Sequence, residues 1–177
     1  ASARGIAQLP SSVISLLKEL SIKGKQYGGL HAAAGKLGAG AGDRVRLALL
    51  GVLFKSAGLP ELYNQAQFVL WLRHEGLEAT VDDELKAQGR SLQQELPHMY
   101  VSSPLAKALL KARPDLAHTD ADARKLLKEQ FPQVTDVTSE QMQQAIASAL
   151  SQGSQFPLTL VVLDEVQQFI GADAEKA

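Results

Sequence analysis

Asp164 and Glu165 are adjacent carboxylates at the end of an uninterrupted apolar run, Leu158-Thr-Leu-Val-Val-Leu163. Such a run is the pattern of a strand buried on both faces, as in a parallel α/β sheet. Open α/β sheets bind their ligands outside the carboxyl ends of the strands, which is where these two charges would stand. In a nucleotide hydrolase a pair of this kind divides the work. The first carboxylate helps hold Mg²⁺, directly or through water, and the second orients and deprotonates the attacking water. This is the form of a Walker B segment, with Asp164 as the nucleotide-metal ligand and Glu165 as the catalytic base. The same residues also read as a buried strand followed by a polar turn or helix start, because Asp and Glu favour a helix N-terminus.

A P-loop ATPase also needs Gly-x-x-x-x-Gly-Lys-Ser/Thr, whose backbone amides cradle phosphates and whose Lys reaches the terminal ones. None of the 177 residues supplies it. The nearest approach, Gly35-Lys36-Leu-Gly38-Ala-Gly40-Ala-Gly42, has its Lys before the glycines and no Ser or Thr for the metal. The sequence also shows no strand leading into it, and such a series reads as a tight or flexible connection. The chain therefore carries at most half of a nucleotide site.

The elements that must position these carboxylates are mostly helices. Pro10-Ser11-Ser12 opens a helix over 10–23, with Val13, Leu16, Leu17 and Leu20 on one stripe and Gly24 as its stop. Leu30 to Gly42 is small and glycine-rich, and Ala32 to Ala34 read as an extension of a short helix. With Asp43 as candidate cap, Val45 to Phe54 reads as a deeply buried helix closed by Gly58 and Pro60. Residues 61–75 form another, in which Trp71 reads as a core or interface anchor rather than a base-stacking platform. A more polar helix is expected from Thr80 and Asp83 towards Leu96-Pro97. Ser103-Pro104, Thr119-x-x-Asp122 and Thr138-Ser-Glu-Gln141 mark three further helix starts. Only Leu158 to Leu163 has the density of a central strand, and a lone strand cannot satisfy its backbone groups. Its partners are therefore expected in segments that read as irregular, or in polypeptide beyond this stretch. The absence of an initiator Met fits the second expectation.

Composition narrows the function classes. At 45% hydrophobic residues the chain can build one sizeable core. It contains no cysteine, which excludes disulfides and thiolate metal sites and fits a reducing compartment. No stretch approaches a membrane span or a secretory signal, so a cytoplasmic, membrane-free location is expected. His31, His74, His98 and His118 lack ligand spacing. Residues 1–55 hold eight Lys/Arg against two acidic residues, and the remainder holds ten against seventeen. The basic third could contact DNA, but solvated helix faces explain it better, since no interleaved aromatics accompany it.

Taken together, several stretches resemble a known family. Gly28-Gly-Leu-His-Ala-Ala-Ala-Gly-Lys-Leu-Gly-Ala-Gly-Ala-Gly42 and Val45-Arg-Leu-Ala-Leu-Leu-Gly51 look like the large P-loop ATPase of bacterial BREX phage-exclusion systems. The related protein of the Pgl phage-growth-limitation system is also similar. The resemblance continues through Ala66-Gln-Phe-Val-Leu-Trp-Leu72, Leu105-Ala-Lys-Ala-Leu-Leu110 and Gln130-Phe-Pro-Gln-Val-Thr-Asp136, and ends in Leu163-Asp-Glu-Val-Gln-Gln-Phe-Ile-Gly171.

The resemblance implies ATP and Mg²⁺ as cofactors of the parent protein, other BREX or Pgl subunits as partners, and a Walker A loop upstream. It carries over only Asp164, to the Mg²⁺-associated carboxylate, and Glu165, to the water-activating one. Arg73 and Arg90 are available cations without a motif. The expected fold is mostly α: a helical subdomain attached to part of a P-loop, AAA-like α/β ATPase core, with one clear central strand at 158–164. Residues 1–150 would form the helical region between the two nucleotide motifs, and 151–177 the Walker B strand and the following helix start. The alternative function is a helical interaction module that contacts another defence-system subunit or DNA without using nucleotide.

Overall fold

A computed structural model describes residues 10–36, 44–151, 153 and 155–166. In chain order the elements are α1 (Ser11–Gly24), β1 (Leu30–Lys36), α2 (Val45–Ser56), α3 (Tyr63–His74), α4 (Glu78–Lys86), α5 (Leu92–Glu95) and a 3₁₀ turn (Leu96–His98). They continue with α6 (Ser103–Ala112), α7 (Asp120–Gln130), α8 (Ser139–Leu150) and β2 (Leu158–Asp164). The fold is mostly helical, as its capping signals require, with one small parallel sheet.

That sheet departs from the sequence reading. The segment expected to extend a helix at Ala32 to Ala34 is instead β1, paired in parallel with β2 from Leu30↔Leu158 to Lys36↔Asp164. Alanine favours helix and is depleted in strands, so local propensity pointed the wrong way. Pairing with the apolar β2 decides the conformation. A strand therefore does lead into the glycine series, whose residues 37–43, including the candidate cap Asp43, lie outside the described residues. The pairing also joins segments on either side of residue 150.

Parallel neighbours need a long crossover between them. Here the connection is the whole helical body, α2 through α8. Its main core gathers Leu50 and Phe54 of α2, Phe68 and Leu72 of α3, Leu85 of α4, Leu105 and Leu109 of α6 and Leu127 of α7, all buried. Trp71 is half-buried at the edge of this core, 6.0 Å from Phe68 and 5.9 Å from Phe131 between ring centres. The body touches the sheet through a second cluster: Ala33 of β1, Leu53 of α2 and Leu150 of α8. Small residues on β1 permit this approach. A Cβ built on Gly35 would lie 2.5 Å from Val52 Cγ2.

β2 is less covered than a strand buried on both faces would be. Leu160 is 59% exposed and Val162 54%, because among the described residues β2 has one neighbouring strand and the packed helices meet β1. The stripe of α1 is likewise open, with Leu16 60% exposed.

Helix starts follow their local chemistry. Thr119 Oγ1 accepts from the Asp122 N–H at 3.2 Å, and Thr138 forms the reciprocal capping box with Gln141; each such cap contributes about 1 kcal/mol. Two details differ from the sequence reading. The cap of α6 is Ser102, not Ser103: its Oγ accepts from Leu105 N–H at 3.0 Å, and Pro104 sits in the first turn. The polar helix begins at Glu78 rather than Thr80 and ends at Lys86, followed by a turn that closes at Gly89, whose φ of 70° suits glycine. A new start follows at Ser91, capped by a box with Gln94.

The one buried carboxylate of the helical body among the described residues is Glu95, 4% exposed. It accepts from Ser102 Oγ at 2.5 Å and Arg90 Nη1 at 2.6 Å. The Ser102 hydroxyl, then Arg90, holds its carboxyl below the ordinary glutamate value against the opposing effect of burial. A depressed folded value makes the contribution to stability complete above the unfolded value of 4.5 and lost as pH falls through the folded one. Glu95→Gln should therefore lower the urea midpoint at neutral pH and shrink the difference from wild type once both are measured below the ordinary glutamate range. Equal midpoints at neutral pH would contradict this account. Gly35→Ala should destabilise the chain by about 1–3 kcal/mol through overpacking against Val52, and the double change with Val52→Ala should recover part of that loss in the same measurement.

Candidate functional site

The parallel register brings the carboxyl ends of β1 and β2 level, so Lys36 stands opposite Asp164. From there its Nζ reaches Glu165 Oε1 at 2.6 Å. The Glu165 N–H donates to Asp164 Oδ1 at 2.8 Å, which ties the two residues together locally. Glu165 has φ 61°, the one positive φ outside glycine among the described residues. The left-handed region costs an ordinary side chain about 1–2 kcal/mol. Such strain persists where surrounding contacts over-determine it, and it concentrates at functional positions. Here the contacts are the Asp164 oxygen behind the residue and the Lys36 ammonium in front of it.

The electrostatics follow from this arrangement. Lys36 is held above the ordinary lysine value, chiefly by its hydrogen bond and ion pair with Glu165 and further by the charge of Asp164. Both partners remain reachable from solvent: the Lys36 side chain is 68% exposed and that of Glu165 30%. Chemically, Glu165 Oε1 is occupied as a proton acceptor while Lys36 holds it. Asp164 is exposed, and its Oδ2 makes no hydrogen bond among the described residues. No group of three His, Asp or Glu side chains converges on a metal position among the described residues. A divalent ion bound here would complete its shell with water and ligand oxygens, as Mg²⁺ commonly does.

Asp164 and Glu165 thus stand at the strand edge, as their position after the apolar run requires. Lys36 is the residue that sequence reasoning missed as a member of the site. The signal was a small-residue stretch able to lie beside an apolar strand, and it was read as helix. The two other cations do not reach this edge. Arg73 pairs with Glu78 at 2.8 Å, and Arg90 with Glu95. Four cations of the basic N-terminal third are also engaged: Lys23 with Glu19, Lys36 with Glu165, Arg46 with Asp136 and Lys55 with Glu61.

A second pair has a suggestive composition. His31 Nε2 lies 2.8 Å from Ser56 Oγ at the mouth of a cavity of about 270 Å³. The Ser56 hydroxyl spends its proton on the Leu53 carbonyl at 2.7 Å, so His31 Nε2 is the donor in their bond. A histidine that activates a serine must accept that proton, and this one does not. The pair therefore ties β1 to the end of α2.

No family model, curated protein or solved structure matches this chain. No helix among the described residues is long and apolar enough to cross a membrane.

The geometry predicts the titration of the lysine. With its raised folded value, the Lys36 pair is fully present below the ordinary lysine range and is lost as pH rises through the folded value. Glu165→Gln should lower the Lys36 titration midpoint, observed by ¹³C NMR of its Cε, and leave the exposed Lys18 signal in place. An unmoved Lys36 midpoint would show that the ion pair does not form in solution.

Proposed function

We propose that this chain is part of an ATP-binding and ATP-hydrolysing P-loop protein of the BREX or Pgl phage-resistance kind, acting in the cytoplasm with other subunits of that system. The observation that supports this most is the level parallel strand edge, where Asp164 and a conformationally strained Glu165 meet Lys36. The resemblance of the Leu163 to Gly171 stretch to the BREX ATPase supplies the reaction class. In this reading the phosphate cradle comes from another segment of polypeptide.

The residues fit Mg²⁺ in charge and access. Asp164 is exposed with one oxygen engaged, and a single carboxylate with water and phosphate oxygens is a common Mg²⁺ environment. When bound, the ion would offset the charge of the triphosphate beside these carboxylates. Asp164 would hold it, directly or through water. Glu165 would take the proton of the attacking water on a carboxylate oxygen once Lys36 has let go, because that oxygen accepts from the Lys36 ammonium while the pair is closed. Lys36 would hold that carboxylate away from the reaction until nucleotide arrives.

A second reading is a nucleotide-independent helical module that contacts another defence-system subunit or DNA. It draws support from the separate core of the helical body and from the exposed apolar stripe of α1, where Leu16 is 60% and Leu17 45% exposed.

The two readings separate in the full-length protein. Glu165→Gln should lower ATP turnover by about 10²–10⁴-fold while ATP still binds, because the amide keeps the size but cannot take the proton. Asp164→Ala should weaken Mg²⁺-dependent binding and turnover together. Both should abolish phage protection, and the 177-residue chain alone should hydrolyse no ATP. Normal turnover in Glu165→Gln would end the nucleotide reading. Lost turnover with intact protection would favour the helical module.

A further inference from the structure

A broad cleft of the helical body has no part in the strand-edge site. It encloses about 980 Å³ between the α2–α3 connection, α3, α4 and the α5 turn. That volume is at the upper end for sites that take small organic groups, with room for more than one side chain. Its walls include Leu59, Val69, Leu92 and Leu96, and Leu62, 57% exposed, stands at the edge.

The charges around the cleft already have partners. Lys55 pairs with Glu61 at 2.6 Å, and Arg73 with Glu78 at 2.8 Å. Asp82 accepts from the Leu92 N–H at 3.0 Å and from Lys86 at 2.8 Å. No cation is left over for a phosphate, so an anionic ligand is disfavoured. Two carboxamides remain, the exposed Gln93 and the buried Gln65. Gln65 lines the cleft and is only 9% exposed, yet its amide makes no hydrogen bond among the described residues. Its amide is not fully enclosed and keeps some contact with solvent. A ligand that fills the cleft must replace that solvent contact with a hydrogen bond of its own.

A carboxamide donates and accepts at once, which matches the C=O and N–H of a peptide group. A helix has already used those groups internally, whereas an extended segment leaves them available. We propose that this cleft docks an extended peptide segment of a partner protein, which sets a bulky aliphatic side chain against Leu59, Val69, Leu92 and Leu96 and pairs a backbone amide with Gln65. The site is independent of nucleotide and does not rest on the ATPase reading.

The test is NMR titration of the 177-residue chain with the blocked tripeptide acetyl-Ala-Leu-Ala-amide, followed on the Gln65 side-chain amide and the Val69 and Leu92 methyl groups. Saturable shifts at all three places are expected. Gln65→Met keeps the bulk and removes the amide, and it should weaken binding by about tenfold, the effect of losing one buried hydrogen bond. Leu62→Asp changes an exposed position that folding does not depend on, and it should weaken binding as well. Isopentanol, which has the leucine side chain without the peptide group, should bind more weakly than the tripeptide. The proposal is overturned if the tripeptide gives no saturable shifts, if neither substitution weakens it, or if isopentanol binds as tightly. Loss of ATP turnover in Glu165→Gln would leave this outcome untouched, so the two proposals fail separately.

Discussion

The parallel pairing of β1 with β2 is the constraint on which the rest of the structure depends. Antiparallel neighbours can be joined by a turn of two residues, but parallel neighbours require the chain to travel back along the sheet. This protein makes that return with its entire helical body. The body must begin and end beside the same small sheet, so its first and last helices, α2 and α8, pack together with Ala33 where the strands begin their contact with the core. The helices in between are free to build a larger core of their own. The small residues of β1 are the local condition for this arrangement, since Val52 occupies the space that a side chain at Gly35 would need.

The same pairing creates the charged edge. A strand slipped by one residue would turn its side chains to the other face, and Lys36 would lose its place opposite Asp164. With the observed register, one ammonium and two carboxylates meet where two strands end together. Glu165 takes its positive φ at this point, and its N–H meets the Asp164 carboxylate. An ion pair this exposed adds little to folding stability. Its significance is geometric, because it seats the Lys36 ammonium on Glu165 Oε1 at the strand edge.

The apolar surfaces belong to the same picture. A parallel sheet is ordinarily covered on both faces, yet Leu160 and Val162 of β2 are open, as is the stripe of α1. The helical body by contrast closes well, down to a carboxylate at Glu95 whose hydrogen bonds come from Ser102 and Arg90. Coverage is therefore uneven: nearly complete where helix meets helix, and partial where helix or loop meets the sheet.

By itself the sequence determined the helical content, most of the helix starts and the two carboxylates at the end of an apolar strand. Those features are local. Thr119 caps through the N–H of Asp122 and Thr138 through that of Gln141, within one turn of chain, and the density of the Leu158 to Leu163 run needs no distant partner to be recognised. The tertiary structure alone decided that Ala32 to Ala34 form a strand, that Lys36 joins the carboxylates and that Glu165 adopts its strained backbone. Alanine and glycine specify little by themselves, so their conformation was settled by a strand more than a hundred residues away in sequence. The shift of the α6 cap from Ser103 to Ser102 has a similar origin. Several nearby residues could have served, and the buried bond between Ser102 and Glu95 selected one of them.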